Sequence, residues 1–453
     1  DSDSFNIDLF MKDKLIIDAL KKIIFKDSKL EKLLTKIREN MCNLISINIE
    51  IVNQFQLEFI IALGEQCFLN EYVYLLTNEE KISISQIINK CRDGALNETH
   101  ISILACYLPL YKVLDQIPSL KSFNSSYESF KELLKLQILE PLTEIELSRS
   151  IRQFGEINDY ISQKVKSQYE ENPYPRWRYG KYSKGHKISL SQAINNEINP
   201  NFISQDEGKQ ISQILIAGCG TGNQILQAQR YINAQVTAID LSLSSLSYAQ
   251  RKINELDIDN VELIQMDILE VPLLKQKFDI IECSGVLHHM NDPLKGLETL
   301  LNTLKENGFL KLGLYSELSR KHIVKARNYI DSKKLKSNKN DLRDFRKIVF
   351  SGQVKEINSL TNSPDFYTLS SCRDLCFHAK EYRFTIKQLQ EILRFNDLKF
   401  LGFILPKSAK TLYEKYFPED KEQTNLQNWA RFEEKFTNTF SGMYQFWVCK
   451  TKI

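Results

Sequence analysis

A chain of 453 residues exceeds what one hydrophobic core usually supports, so we expect a central domain with substantial helical additions. Its 60 Lys and Arg residues nearly balance its 57 Asp and Glu residues, and this balance gives no reason to expect nucleic acid or an anionic membrane as partner. The nine cysteines lack CxxC or zinc-ligand spacing, and neither a membrane-length apolar run nor a signal-peptide pattern occurs, which favours a cytoplasmic protein without a metal.

The first part of the chain, residues 1–167, carries apolar residues at helical spacing, as at Leu57, Ile60 and Ile61. We therefore predict a helical N-terminal domain, and its apolar richness suggests a homodimer. Residues 168–207 are predicted to be a linker that includes an ordered segment, Asn172-Pro173-Tyr174-Pro175-Arg176-Trp177. Each proline there disfavours a helix at the residue before it.

After residue 207 short apolar strands alternate with helical stretches, which is typical of a parallel sheet covered on both faces. We predict an α/β core over residues 208–315, an inserted lid over 316–397, and C-terminal strands with a helical insertion over 398–453. The sheet would have seven, mostly parallel strands. The predicted strands begin at Ile214, Val236, Val261, Phe278, Phe309, Leu398 and Met443.

A glycine-rich turn follows the first predicted strand, with the sequence Gly218-Cys219-Gly220-Thr221-Gly222-Asn223. Glycines let the backbone pass close beneath a ligand, and Asp240 ends the next strand, where a carboxylate can accept both ribose hydroxyl protons. Leu241 comes directly after it. These features fit a dinucleotide, a flavin or S-adenosylmethionine, and a plain strand-to-helix turn also stays open.

Two further motifs narrow the choice. Met266-Asp267-Ile268 follows the third strand, and the fourth strand runs from Phe278 through Cys283-Ser284-Gly285-Val286-Leu287-His288-His289 to Asp292-Pro293. The four motifs, in this order and spacing, resemble the Rossmann-like class I methyltransferases. That resemblance implies S-adenosylmethionine as cofactor and S-adenosylhomocysteine as product. The implied cofactor-binding residues are Gly218, Cys219, Gly220, Asn223, Asp240, Leu241, Asp267, Ile268, Cys283, Ser284 and Gly285.

The sequence departs from that family pattern in two places. Ile216 stands where the first motif usually has an acidic residue, so a ligand for the cofactor's amino group is expected from elsewhere. We expect Arg176 to hold the cofactor's carboxylate in a bidentate fork. The fourth strand also lacks the Asn/Asp-Pro-Pro-Tyr/Phe motif of some N-methyltransferases, which weakens a nucleic-acid substrate.

A narrower resemblance rests on phrases outside the core: Leu63-Gly64-Glu65-Gln66-Cys67-Phe68-Leu69-Asn70-Glu71-Tyr72, Gln168-Tyr169-Glu170-Glu171 before the proline segment, Leu312-Gly313-Leu314-Tyr315-Ser316-Glu317, and Cys372-Arg373-Asp374-Leu375-Cys376-Phe377-His378. They resemble the rickettsial protein-lysine methyltransferases that act on outer membrane protein B. The resemblance implies methyl transfer to lysine ε-amines of a surface protein before its export. A small-molecule methyltransferase and a non-catalytic scaffold that retains the cofactor site are the alternatives.

Lysine attacks only as a neutral amine, and its ordinary pKa is about 10.4, so an apolar channel and a proton acceptor are needed. Tyr174 and Trp177 are candidates for shielding the reaction, with a rigid structural linker as the alternative. Tyr315 and Glu317 lie at the predicted carboxyl-end rim, where ordinary rim residues would also occur. His288 follows the fourth strand and could face the methyl donor.

Overall fold

The computed structural model describes residues 6–47, 52–180, 185, 187–204 and 210–451. The chain forms two compact units, each built from separate stretches of sequence. The helical unit comprises the residues up to Glu146, then Arg176–Tyr179 and Lys325–Phe377. The sheet unit comprises Leu147–Pro175, Gly180–Val324 and the residues from His378 onward. Among the described residues, no helix is both long and apolar enough to cross a membrane.

The helical unit confirms the predicted helical character of the N-terminal region. Its helices are α1 (Ile7–Lys12), α2 (Lys14–Lys22), α3 (Ser28–Ile47), α4 (Gln54–Leu69), α5 (Asn78–Arg92), α6 (Glu98–Ala105), α7 (Glu128–Leu134), most of α8 (Glu140–Ser148), most of α14 (Lys321–Ser332), α15 (Lys339–Ser351) and α16 (Leu369–Phe377). Asn53 and Thr77 begin α4 and α5 with capping boxes, which satisfy backbone N–H groups that a helix start leaves free. Residues 59–69 of α4 are all buried, so α4 is the central helix of this unit.

Two buried ion pairs link the helices of this unit. The Arg346 guanidinium binds the Glu31 carboxylate in a fork, with N–O distances of 2.9 and 2.7 Å. Arg38 donates to Glu80 at 3.0 Å, and the Tyr107 hydroxyl donates to the same carboxylate at 2.6 Å. Because a buried charge is costly without its partner, removing either member of a pair would destabilise the packing of α3 on α5 or α15.

The sheet unit contains one eight-stranded sheet in the order β1-β4-β3-β2-β5-β6-β8-β7. The strands are β1 (Arg152–Gln153), β2 (Ser212–Ala217), β3 (Ala234–Asp240), β4 (Val261–Gln265), β5 (Phe278–Ser284), β6 (Leu304–Leu314), β7 (Leu398–Phe403) and β8 (Tyr444–Lys450). Only β8 runs antiparallel to its neighbours. The seven predicted strands are all present, and the two-residue β1 adds an eighth beside β4.

The helices of the sheet unit are α9 (Tyr160–Glu171), α10 (Leu190–Ile198), α11 (Asn223–Ala228), α12 (Leu243–Glu255), α13 (Pro293–Thr303), α17 (Ile386–Phe395), α18 (Lys407–Tyr416) and α19 (Leu426–Lys435). The inner positions of β2, β5 and β6 are buried, and a large aromatic cluster fills the space beside β7 and β8. In that cluster Trp429 stacks on Tyr413 with ring centroids 3.7 Å apart. This core holds the carboxyl ends of the parallel strands in fixed register.

The units divide the chain differently from the sequence-based boundaries at two points. Residues 147–175 belong to the sheet unit, although the N-terminal helical domain was predicted to extend to residue 167. Residues 325–377, within the predicted lid, belong to the helical unit, while 378–397 belong to the sheet unit. Residues 181–184, 186 and 205–207 of the predicted linker lie outside the described residues. Long-range packing, rather than local composition, sets these boundaries.

Candidate functional site

The glycine turn after β2 is a cradle whose geometry requires glycine. Gly218 has φ +78°, and a Cβ built there would lie 2.3 Å from Val286 Cγ2. Gly220 has φ +52°, and its Cβ would lie 2.7 Å from the Tyr174 carbonyl oxygen. Both positions therefore combine a left-handed backbone with a close neighbour. The turn leads directly into α11, which begins at the exposed Asn223.

Asp240 ends β3 beside this cradle and is held by backbone amides. Its Oδ2 accepts a hydrogen bond from Gly220 N at 2.8 Å, and its Oδ1 accepts one from Ser242 N at 2.9 Å. Burial raises the pKa of the Asp240 carboxyl, and these N–H donors partly oppose that rise. The next residue is fixed as well, because Gln265 donates to the Leu241 carbonyl at 2.8 Å. The carboxylate is thus positioned at the strand end before any ligand arrives.

The strand order places a crevice between β2 and β5. From β2 the chain builds β3 and β4 on one side, then crosses to build β5 and β6 on the other. Open α/β sheets bind ligands at such a point, outside the carboxyl ends of the strands. Ser284 ends β5 there, and Gly285 follows with φ +80°. The predicted cofactor residues of β2 and β5 therefore face the same crevice edge.

The two cysteines of this region are neutral thiols. Burial raises the pKa of Cys283 to about 12, and burial also raises the pKa of Cys219 well above its usual value. Since the thiolate is the nucleophilic form, neither side chain is suited to nucleophilic chemistry at neutral pH. Their contribution to the site is limited to shape and backbone position.

Asp267 and Ile268 follow β4 and start a 3₁₀ turn over Ile268–Leu274. Asp267 Oδ1 accepts from Leu269 N at 3.0 Å, so this carboxylate caps the turn. Both residues are buried. The cofactor binding that the resemblance implies for these two residues stays a prediction.

The proline segment lies against the glycine cradle through its first half. The Tyr174 carbonyl approaches Gly220, and the Thr221 hydroxyl donates to the Pro175 carbonyl. The following residues, Arg176 and Trp177, belong to the helical unit, where the Arg176 guanidinium lies 4.7 Å from the centroid of the Phe68 ring. The roles predicted for Arg176 and Trp177 toward the cofactor stay predictions.

A continuous row of aromatic and imidazole rings extends from this segment to the end of β6. We call the following residues the aromatic row: Tyr174, Tyr169, His378, His289, His288 and Tyr315. Successive ring centroids are 6.3, 6.0, 3.5, 4.3 and 3.8 Å apart in that order. The aromatic row therefore contains three of the residues that were predicted from the sequence as catalytic candidates, Tyr174, His288 and Tyr315.

Within the aromatic row, the imidazole of His288 is kept neutral by its surroundings. Burial lowers the pKa of His288 well below the ordinary histidine value, and neighbouring cationic and imidazole groups lower it further. The Lys380 carbonyl lies 2.7 Å from His289 Nδ1 and 2.9 Å from His378 Nδ1. Because a carbonyl only accepts, its contact favours a proton on His289 Nδ1, whereas His378 Nδ1 also lies 3.4 Å from the N–H of Lys380 and so has both an acceptor and a donor within reach. His378 Nε2 lies 3.3 Å from the Tyr169 hydroxyl, which can donate to it.

At the β6 end the row is closed by a cation. The Arg320 guanidinium lies 3.7 Å from the centroid of Tyr315 and pairs with the Glu381 carboxylate at 3.0 and 2.6 Å. Glu317 instead is half exposed and accepts from Arg383 at 3.2 Å. Its position agrees with the alternative of an ordinary rim residue, whereas Tyr315 is buried between an imidazole and a guanidinium.

Several residues of the site were not assigned a role from the sequence. Glu170 in α9 accepts from Leu243 N at 2.6 Å and Ser244 N at 3.0 Å, and so caps the start of α12 next to Asp240. Gln224 in α11 donates to the Ser284 carbonyl at 3.2 Å. Tyr169 and His378 lie in sequence segments that were cited above for their resemblance to rickettsial protein-lysine methyltransferases. Nothing in local sequence shows that such distant residues meet.

Sheet order, glycine cradle and strand-end carboxylate together define a class I methyltransferase domain, and S-adenosylmethionine is its cofactor. Residues 210–396 match the family described as a methyltransferase domain. The residues fit this cofactor because the close glycine turn and the Asp240 carboxylate lie together at the carboxyl ends of β2 and β3, where open α/β sheets bind nucleotides. Binding of the ribose by Asp240 stays a prediction.

The chain is similar to several known proteins over part of its length. An uncharacterized protein from Synechococcus sp. is 33% identical over 202 residues, which are 42% of this chain and 48% of that protein. A malonyl-[acyl-carrier protein] O-methyltransferase from Acetivibrio thermocellus is 32% identical over 114 residues, covering 25% of this chain and 39% of that enzyme. The structure of PKMT2 from Rickettsia typhi in complex with AdoHcy has a TM-score of 0.44 and 19% identity, covering 60% of this chain and 55% of that one. The matched part of the chain thus covers about half or less of the length of these two relatives.

Proposed function

We propose that the whole chain is an S-adenosylmethionine-dependent protein-lysine N-methyltransferase of the cytoplasm. Its substrate would be the lysine ε-amines of a bacterial outer membrane or surface protein before export. The single observation that carries the proposal is the aromatic row beside the glycine cradle, because it joins a water-excluding wall to a hydrogen-bonded tyrosine–histidine pair. The phrases outside the core that resemble rickettsial protein-lysine methyltransferases support the choice of lysine.

The chemistry requires little of the protein beyond position and exclusion of water. Bound S-adenosylmethionine would supply a methyl group on a cationic sulfonium, and the neutral amine would attack that carbon in line as the C–S bond breaks and S-adenosylhomocysteine leaves. Asp240 holds the ribose, while the glycines allow the backbone to pass close beneath the ligand. His288 and Tyr315 offer an uncharged, polarizable wall, and the Glu381 carboxylate balances the charge of the Arg320 guanidinium that lies on Tyr315.

The acceptor amine must lose a proton before it attacks. Burial among rings favours the neutral amine, since desolvation lowers the pKa of a lysine. The Tyr169 hydroxyl and His378 Nε2 form a hydrogen-bonded pair in which the imidazole nitrogen can hold the proton that the phenol passes on. The pair belongs to the same row as Tyr174, whose carbonyl touches the cradle.

Mass spectrometry tests this proposal directly. The enzyme is incubated with a methyl-labelled cofactor and with candidate proteins, outer membrane protein B fragments among them. We expect label on lysine side chains with the wild type and none with Asp240→Ala. Amine methylation survives mild alkali, so label that alkali releases as methanol, as it does from a methyl ester, would contradict the proposal.

An O-methyltransferase acting on a smaller acceptor is the second candidate, favoured by the similarity to the malonyl-[acyl-carrier protein] enzyme. It predicts alkali-labile label and no lysine methylation. A scaffold that only retains the cofactor site predicts S-adenosylhomocysteine binding without transfer to any acceptor. We also propose a homodimer through the helical unit, which sedimentation velocity can test.

A further inference from the structure

The crevice between β2 and β5 lacks the acidic side chain that commonly serves the amino group of the cofactor. At that position the sequence has Ile216, which is fully buried in β2. Its register partner on β5, Glu282, is buried too and accepts a hydrogen bond from the Tyr231 hydroxyl at 2.7 Å. The Glu282 carboxylate, which lies beside Ile216 in the sheet, is therefore already hydrogen-bonded to Tyr231. A ligand for an ammonium group must come from another residue.

Gln224 is the polar side chain that spans this crevice. It lies in the first turn of α11, two residues after Gly222 of the cradle. Its Nε2 donates to the carbonyl of Ser284, the last residue of β5, at 3.2 Å. One side chain thus connects the turn that follows β2 with the end of β5, the two edges of the ligand crevice.

The other end of the same amide has no hydrogen bond among the described residues. Gln224 Oε1 is buried and accepts nothing there. The contact with Ser284 fixes the orientation of the Gln224 amide. Because the Ser284 carbonyl oxygen can only accept a hydrogen bond, the NH₂ group of the amide must point toward it and Oε1 must point away. A buried acceptor without a donor is costly, so a purely structural role for Gln224 leaves this oxygen unexplained.

We propose that Gln224 Oε1 accepts a hydrogen bond from the ammonium group on the methionine part of the cofactor. The amide would replace the acidic residue that Ile216 excludes, and Ser284 would act as a positioning residue by holding Nε2. This inference concerns the cofactor alone and does not depend on whether the methyl acceptor is lysine. Arg176 remains the candidate for the carboxylate, so the two assignments are separate.

Binding calorimetry with two ligands tests the assignment. S-adenosylhomocysteine carries the ammonium group, and its desamino analogue keeps the carboxylate but lacks that group. We expect the wild type to prefer S-adenosylhomocysteine by roughly 10- to 100-fold, as for one hydrogen bond to a charged group. In Gln224→Met, of similar length, the preference should fall to within about threefold while affinity for the desamino analogue stays unchanged.

Gln227→Met is the matched control, because Gln227 lies in the same helix and is exposed. It should keep the wild-type preference. Gln224→Glu keeps an acceptor at this position and should also keep the preference, which decides the matter if Gln224→Met binds neither ligand. An undiminished preference in Gln224→Met would overturn the inference, as would loss of the preference in Gln224→Glu. Failure of the wild type to bind S-adenosylhomocysteine would instead refute the cofactor site itself.

Discussion

Replacing Gly220 with alanine perturbs the contact between the glycine cradle and the proline segment. At φ +52° an L-residue costs about 1–2 kcal/mol relative to glycine. The new Cβ would lie 2.7 Å from the Tyr174 carbonyl oxygen, so the backbone of Tyr174 and Pro175 must shift. That shift weakens the hydrogen bond from Thr221 to Pro175, a further loss of about 0.5–1.5 kcal/mol.

Thermal unfolding and calorimetry measure the outcome. A combined loss near 2.5 kcal/mol corresponds to a Tm lower by roughly 5–10 °C for a domain of this size. Affinity for S-adenosylhomocysteine should fall at least about tenfold, because Gly220 N also donates to the Asp240 carboxylate, which is predicted to bind the ribose.

Gly352→Ala is the control for backbone strain alone. Gly352 has φ +71°, but the nearest atom to an added Cβ, Asn358 Nδ2, lies 3.7 Å away. We expect this variant to lose about 1 kcal/mol of stability and to bind S-adenosylhomocysteine as the wild type does. If Gly220→Ala matches Gly352→Ala in both Tm and affinity, the close approach of Tyr174 has no part in the site.

Three further predictions concern charge. Asp240→Ala should lower S-adenosylhomocysteine affinity at least about 100-fold in calorimetry, since two charge-assisted hydrogen bonds to the ribose are lost, and an unchanged affinity would contradict the ribose assignment. The pKa of His288 in the folded protein lies below its value in the unfolded chain, so as the pH falls below about 6.5 the unfolded chain takes up this proton first. The contribution of His288 to the free energy of unfolding therefore falls by about 1.4 kcal/mol per pH unit. His288→Phe should therefore show a shallower loss of Tm between pH 6.5 and 5.5, and parallel curves would refute a buried neutral imidazole. Glu31→Ala removes the carboxylate that pairs with the buried Arg346 and should cost about 3–5 kcal/mol of stability, measured by denaturant unfolding. Glu39 pairs with an exposed lysine, so the control Glu39→Ala should cost under about 1 kcal/mol in the same measurement.

The sheet could be predicted from the sequence because its signals are local. Apolar runs bounded by turns located seven strands, and Val261–Gln265 coincides with β4 residue for residue. Asp240 could be located because it is the last residue of β3, and the glycine turn because left-handed backbone positions favour glycine. The exposed pair Arg152 and Gln153 has no apolar signal, so the eighth strand could not be predicted.

The rest of the site depends on contacts between distant residues. Tyr169 and His378 are separated by 209 residues, yet their side chains meet in the aromatic row. Glu170 caps a helix 73 residues later in the chain. Neither pairing leaves a periodicity or a motif in the sequence, and the same holds for the assignment of residues 325–377 to the helical unit.

The pairing of Glu31 with Arg346 has a consequence for synthesis of the chain. The two residues are separated by 315 positions, so translation at 5–20 residues per second delivers the arginine roughly 15–60 s after the glutamate. During that interval the nascent helices have no native neighbour for this carboxylate and cannot complete their packing. A ribosome stalled before residue 325 should therefore carry an N-terminal region that is more readily cut by protease than one stalled after residue 377. The first helices to be made would be among the last to become stable.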